Sequence, residues 1–331
     1  MKRHQHGFLF WFQVCLFFSM TFNAYGENEP QTVPGGATIQ TLMSNLESAA
    51  SKQNMMQLAD GTIGTEGNVG TGIHYTFSDN VRIYNLPLSY SISDRFVTGL
   101  TVPWVYKRKK GYFEDDVIEN EGLGDISVFI EHILKKEKFR LSSTFTLKMP
   151  TGYYKRHENG KETQPLGTGS YDYIVGGALI YKPDLSEKLR FTSSASYRLN
   201  GSSSIKEEAT YNNITGTYYL KARNGNVFNI SFGSIYFSNI AKLLFYGDLG
   251  YMNIQRGSIG YSDASGIVSV STTRKDSLSV IDLTLGSKYQ LSEDSAFRLG
   301  ITLPAWTAYD KDAGDTENRQ IVGDFGFDYV F

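Results

Sequence analysis

Leu189-Arg190-Phe191-Thr192-Ser193-Ser194-Ala195-Ser196-Tyr197-Arg198-Leu199 decides how the rest of this chain is read. In an extended strand successive side chains point to opposite faces. Leu189, Phe191, Ser193, Ala195, Tyr197 and Leu199 therefore share one face, and Arg190, Thr192, Ser194, Ser196 and Arg198 the other. Phe139–Met149 repeats the pattern, with Phe139, Leu141, Phe145 and Leu147 opposite Arg140, Ser142, Thr144 and Lys148. It returns where Phe297, Leu299, Ile301 and Leu303 alternate with Arg298, Gly300, Thr302 and Pro304. Sandwich strands are usually about 5–6 residues long. A strand crossing the outer membrane needs about 9–11, apolar outward and polar inward. Runs of this length, repeated along the chain, point to an all-β protein, a transmembrane antiparallel up-and-down barrel.

Connections supply a second signal, because bacterial barrels have short turns on the periplasmic side and longer outer loops. Ser93-Asp94-Arg95, Lys135–Lys138, Pro183–Lys188 and Ser292–Ser295 are tight. Lys107–Gly122, Thr151–Gly169, Gly201–Gly225, Arg256–Asp276 and Asp310–Asn318 are long and polar. This alternation places strands near 70–77, 81–92, 96–106, 123–134, 139–149, 171–182, 189–199, 226–237, 242–254, 277–291, 296–308 and 319–331. Twelve strands leave both chain ends in the periplasm. Ile214–Ala222 reads as an outer-loop hairpin, and fourteen strands is the alternative if Ile267–Thr273 also spans.

Ahead of the barrel, Lys2 and Arg3 precede an apolar run from Gly7 to Phe22, and Ala24-Tyr25-Gly26 follows it. The run is about 16 residues, short of the roughly 20 needed by a spanning helix. Residues 1–26 therefore read as a secretory signal peptide. Segment 27–69 would be a periplasmic or plug segment with a short helix near 38–57. Ile39, Leu42, Met43, Leu46, Ala49, Ala50 and Met56 fall there at helical spacing on one face. A plug in the mouth and a linker helix outside it fit equally well. The barrel would occupy 70–331.

Composition agrees with this layout. The only cysteine, Cys15, lies in the apolar leader, so the exported chain would carry no disulfide, thiolate metal site or cysteine nucleophile. The formal charge of −2 is too balanced for a nucleic-acid binder. After residue 26 no apolar run is long enough for a membrane helix. The 22 Tyr, 21 Phe and 33 Gly suit aromatic girdles and closely packed strands, although a secreted sandwich would share them.

At the end of the sequence Phe325, Phe327, Tyr329 and Phe331 share one face. This is the expected recognition signal for the outer-membrane assembly machinery, since an aromatic-faced edge strand suits capture by strand addition. Outer-membrane lipid is the second expected partner.

Catalytic chemistry finds little support. No HExxH motif, paired-histidine spacing or Gly-x-Ser-x-Gly elbow occurs, so no catalytic, cofactor or metal site is expected. A membrane-embedded lipid hydrolase would need His132 on the lipid face with a serine partner, and it is the remote alternative. The inward faces instead carry Asp125, Glu131, Arg140, Lys148, Asp172, Arg190, Arg198, Asp248, Asp282, Lys288, Arg298, Asp324 and Asp328. Arg or Lys facing lipid at the midplane costs about 2–4 kcal/mol, so these charges are expected to line the lumen. There they would either pair as structural ion networks or line a solute route.

Three ordered motifs carry a family resemblance: Gly122-Leu123-Gly124-Asp125-Ile126, Leu147-Lys148-Met149-Pro150-Thr151-Gly152 and Leu166-Gly167-Thr168-Gly169-Ser170-Tyr171-Asp172-Tyr173. Together with Leu303-Pro304 and the aromatic terminus, they resemble the outer-membrane family named for the MetA pathway of phenol degradation. The resemblance implies a barrel that moves small hydrophobic or aromatic solutes across the outer membrane. All three motifs would sit at the outer rim, with Asp125 and Asp172 organising it rather than touching solute. Phe96-x-x-Gly99-x-Thr101-x-Pro103 and Phe297-x-x-Gly300-x-Thr302-x-Pro304 also match each other. The expected function is passive passage of small compounds, and the alternative is a structural or surface-interaction barrel working through its long loops.

Overall fold

The computed structural model describes residues 67–331 except 111–116, 154–156, 159–160, 163–164, 185, 212–213, 241, 264–268, 274–276 and 310–320. The leader, and the helix expected near 38–57, lie outside the described residues. In chain order the strands are β1 (Val69–Phe77), β2 (Val81–Ser91), β3 (Phe96–Lys110), β4 (Val117–Leu123), β5 (Ser127–Lys135), β6 (Phe139–Lys148), β7 (His157–Glu158) and β8 (Lys161–Glu162). There follow β9 (Asp172–Tyr181), β10 (Leu189–Leu199), β11 (Ser202–Tyr211), β12 (Ile214–Arg223), β13 (Val227–Phe237) and β14 (Leu243–Ile254). The series ends with β15 (Ser258–Asp263), β16 (Ser269–Thr273), β17 (Leu278–Gln290), β18 (Ser295–Tyr309) and β19 (Val322–Val330).

The wall is one antiparallel sheet that closes on itself. Its order runs β2-β1-β19-β18-β17-β14-β13-β10-β9-β6-β5-β3, and β2 pairs back onto β3. Those twelve strands form the ring, with β4 as an extra strand. Closure depends on β1 and β19, paired from Gly70↔Val330 to Phe77↔Gly323. Val69 and Phe331 exchange backbone hydrogen bonds (2.8 and 3.3 Å) just beyond that seam.

Burial follows the alternation read from sequence. On β6, Phe139, Leu141 and Phe145 are exposed on the outside, while Ser142 and Lys148 are buried on the inside. Outward Phe232 and Leu299 are 60% and 57% exposed. An exposed apolar surface encircling a protein is untenable in water and is stable against lipid. Phe297 lies against Phe325 and Phe327 on this outer face, with ring centroids 5.7 and 5.2 Å apart.

Turns of three to seven residues join the strands at one end, and the long connections all lie at the other. At the turn end Lys138 donates to Asp184 across neighbouring turns (2.6 Å), which holds its ammonium above the ordinary lysine pKa. At the loop end the structure departs from the sequence reading in two ways. The described residues of 107–122 are strand, since β3 continues to Lys110 and pairs with β4. The strand expected at 123–134 therefore begins higher and breaks at 124–126, below which β5 takes over the pairing with β3. Neither β12, at the expected Ile214–Ala222, nor β16, the described part of Ile267–Thr273, enters the barrel. β11 and β12 form a hairpin that pairs through β15 to β16 in a separate four-stranded sheet, which removes the fourteen-strand alternative.

Pro304 shows how an imino residue is tolerated in the wall. It has no N–H to give the ladder, and the β17–β18 register shifts there: Asp282 faces Pro304, while Ile281 faces Trp306. Ala305 is the extra residue of this bulge.

Exchanging faces on β6 is expected to separate lipid from lumen. Phe145→Arg should lower stability by about 2–4 kcal/mol. Thr144→Arg, one residue away and inward, should change it by under about 1 kcal/mol. Urea unfolding in lipid vesicles measures both, and equal losses would contradict the assignment of faces.

Candidate functional site

The break at 124–126 is the place to begin, because interrupting a strand orphans ladder groups that must find other partners. Gly124 N donates to Pro103 O (2.8 Å), keeping one bond to β3. Thr151 supplies others: its Oγ1 donates to Gly124 O (2.9 Å) and accepts from Ile126 N (2.8 Å). Gly152 then lies so close that an added Cβ would stand 2.8 Å from the Gly124 carbonyl carbon. Thus the second sequence motif repairs the gap left by the first.

The break also turns the Asp125 side chain inward, where it is 1% exposed. Its Oδ1 accepts from Gly152 N (3.1 Å), and its Oδ2 accepts from Thr168 N (2.7 Å) and Thr168 Oγ1 (2.9 Å). Asp172, equally buried, accepts at Oδ1 from Ser170 Oγ (2.7 Å) and Gly201 N (3.0 Å). Lys148 Nζ sits between the two carboxylates, 2.5 Å from Asp172 Oδ2 and 3.8 Å from Asp125 Oδ2. Buried Lys107 donates to the carbonyl of Pro165 (2.5 Å). Gly169, between the Thr168 and Ser170 donors, has a φ of 68°, a conformation favoured by glycine.

These contacts hold the β6–β9 connection folded inward. Its Leu166, 2% exposed, packs on Val81, Ile83 and Val105, inner-face residues of β2 and β3, with Tyr153 beside it. Asp125 and Asp172 therefore serve as anchors of an inward-folded loop at the loop end of the lumen. All three motifs singled out in the sequence meet in this latch.

The remaining charges lie elsewhere on the inner face. Asp328 pairs with His74 (2.7 Å) and Arg298 with Asp324 (3.3 Å), both close to the closing seam. Asp248 (7% exposed) and Lys288 (3%) are buried on β14 and β17, and Asp282 is half-buried on β17. Glu131 and Arg198 are 1% and 2% exposed. Arg140 and Arg190 stand at the turn end, the latter donating to Glu187 O (2.7 Å) with its guanidinium 5.2 Å from the Phe237 ring centre. The sequence reading missed His74 and Lys107, although His74 alternates with Ile73 and Tyr75 as an inward residue should. Lys107 was assigned to a loop because β3 was ended too early. His132 faces outward, stacked on Phe96 at 4.7 Å with Ser143 as its cross-strand neighbour.

Between the latch and the turn end, the inner face carries smaller polar side chains. Thr144, Thr146, Ser194, Ser196 and Asn229 are all half-exposed. Ser194 and Ser231 share a hydrogen bond (2.8 Å), and Asn229 Nδ2 donates to Ser196 Oγ (3.3 Å). Along β6, β10 and β13 this strip is hydroxyl- and amide-lined. No group of His, Cys, Asp and Glu suited to a metal ion occurs among the described residues.

No family model and no curated protein matches the sequence. Solved structures do. The chain is similar to the COG4313 outer membrane channel from Pseudomonas putida F1, with a TM-score of 0.60 at 13% identity over 81% of this chain and 96% of that one. The toluene transporter TodX of Pseudomonas putida matches with a TM-score of 0.44 at 11% identity, covering 93% of this chain and 95% of that one. The KdgM porin matches with a TM-score of 0.42 at 11% identity, covering 79% and 99%. At these identities the likeness is one of fold.

Lys148→Met is expected to leave Asp125 and Asp172 facing each other without a cation, which costs about 3–5 kcal/mol in a buried pair. The inward loop should then be cut faster by protease between Tyr153 and Pro165 while the barrel stays intact. Gly152→Ala, forced against the Gly124 backbone, should act in the same direction by about 1–3 kcal/mol. A Lys148→Met barrel as resistant as its parent would contradict the latch.

Proposed function

We propose that this chain is an outer-membrane channel for passive passage of small solutes. The observation that carries the reading is the lumen itself. A closed ring of twelve strands is wider than the eight that side chains alone fill, and its middle is lined by half-exposed hydroxyls and amides, not an apolar core. Folding of the same kind in an outer membrane channel of Pseudomonas putida supports it. The solute class, hydrophobic or aromatic, rests on the motif resemblance and is the finer part of the proposal. Outer-membrane lipid would cover the apolar exterior, and Phe325, Phe327, Tyr329 and Phe331 would be the strand face read by the assembly machinery.

In this reading the thirteen inward charges divide by task. Asp125, Lys148 and Asp172 fasten the loop that narrows the outer mouth. Asp282 on β17 and the Arg298–Asp324 pair between β18 and β19, where both carboxylates are only partly buried, are the charges a passing solute would meet. A second reading, a surface-interaction barrel, is favoured by the four-stranded sheet of β11, β12, β15 and β16 in the outer loops. Deleting those hairpins while retaining solute passage, with loss of surface adhesion, would select it.

Purified protein in planar bilayers should give discrete conductance steps, and liposomes containing it should swell in small neutral solutes. Lys148→Met should raise the step size by releasing the loop. A solute-tight barrel that remains tight after this substitution would reject the channel.

A further inference from the structure

The inner wall at the turn end gathers cations on neighbouring strands. Lys135 ends β5 and Arg140 stands directly opposite it on β6, so the two side chains leave the same face of the sheet. That face is the lumen. Lys135 keeps step with buried Ile133 and Arg140 with buried Ser142, while Leu134 and Leu141 are exposed on the outside. Arg190 comes from β10, two strands from β6, and is inward too, next to outward Phe191. Arg140 acts on both Lys135 and Arg190 as a like charge. The acids that reach them are Asp94, which attracts Lys135, and Glu187, which attracts Arg190. Glu131, farther up the wall, hydrogen-bonds with Ser142.

The donors of this group are not used up. Arg140 Nη1 is sealed from solvent and has no hydrogen-bond partner among the described residues. Leaving a buried donor unsatisfied costs about 1–3 kcal/mol, and more for a charged group. Arg190 directs Nη1 to two carbonyls, Glu187 O (2.7 Å) and Leu189 O (2.9 Å), with its guanidinium beside the Phe237 ring. Neither guanidinium forms an ion pair among the described residues. The adjoining turns do not neutralise the group. Lys136, Lys138, Lys182 and Lys188 stand there with Glu137, Asp184 and Glu187, and Lys138 is bonded to Asp184. Cations held this close repel one another, and an anion between them relieves that repulsion. Guanidinium suits an oxyanion in particular, because it offers parallel N–H groups to two oxygens.

We infer that Lys135, Arg140 and Arg190 form a binding site for a small oxyanion, a carboxylate or phosphate carried by a solute, at the turn end of the lumen. Arg140 and Arg190 supply the hydrogen bonds, and exposed Lys135 adds charge at the rim. The inference deepens the channel reading and rests on it for the solute's arrival, whereas binding itself is measured without flow.

The test places Lys135→Cys in a Cys15→Ser background of the full chain, which leaves both arginines in place beside a reporting thiol. Two thiosulfonates are compared, one bearing a sulfonate and one a trimethylammonium group. Their rate ratio, sulfonate over ammonium, should be about tenfold higher at Lys135→Cys than at Ser292→Cys, in the turn with Glu293 and Asp294. Acetate and inorganic phosphate should slow the sulfonate reagent at Lys135→Cys and leave Ser292→Cys unaffected. Arg140→Gln and Arg190→Gln should weaken both effects singly and abolish them together. Arg140→Lys should keep the rate ratio and lose the competition. Heat-modifiable migration shows that each barrel is folded, and the single substitutions decide if the double one fails to fold. Equal ratios at the two thiols, or a raised ratio that survives both Gln substitutions, overturn the inference. So does competition by phosphatidylglycerol vesicles with none by acetate or phosphate, which assigns the cations to lipid headgroups. Liposome swelling keeps the two readings apart: a solute-tight barrel that still shows the competition rejects the channel and retains the site.

Discussion

A backbone in hydrocarbon has no water to bond, so each N–H and C=O crossing the membrane needs a partner within the protein. A sheet meets that demand only when its first and last strands pair, and here this is the β1–β19 seam. The constraint explains why the chain needs neither a compact apolar core nor disulfides. It also explains why the break at 124–126 is so closely bonded by neighbouring residues. At 124–126 the ladder fails, Thr151 Oγ1 and Met149 N supply partners to the backbone of Gly124 and Ile126, and Gly152 and Thr168 donate to the Asp125 carboxylate.

Repair of the break and anchoring of the β6–β9 connection are thus one event. Asp125 can face inward because the strand is broken there, and its carboxylate then becomes the acceptor on which the β6–β9 loop is built. Two buried carboxylates beside one lysine would be a poor source of net stability. Their backbone and hydroxyl donors change the balance, because a carboxylate with several hydrogen bonds is far less dependent on a counter-charge. What the arrangement specifies is a single loop position, with Leu166 seated on β2 and β3.

Period-two alternation was enough to read the barrel, its strand faces and most strand positions, because lipid and water impose opposite demands on alternate residues. Loops obey no such rule. The sequence reading therefore ended β3 at 106 and missed Lys107, since the charged residues 107–110 resemble a loop even though they continue a strand above the membrane. It took Asp125 for a wall residue on a descending strand, because nothing in Gly124-Asp125-Ile126 announces a break. The motifs around Lys148 and Asp172 were visible as motifs, but their meeting depends on loop folding, which alternation does not encode. His74 was legible in principle, placed between two outward residues of β1.

The lumen is consequently not uniform along its axis. At the loop end lie two buried groups, the latch and the cluster of Val227, Met252, Ile254, Leu278 and Val280. In the middle, partly buried Ser, Thr and Asn side chains hydrogen-bond to one another. At the turn end, aliphatic side chains again face inward. Apolar residues on an inner wall would weaken a purely aqueous pore, because they neither bind water nor pair with the strands' own charges. The alternation that fixes the fold also varies in kind along the barrel: aliphatic side chains face inward near the turns, hydroxyls and amides in the middle, and the Asp125–Lys148–Asp172 latch at the loop end.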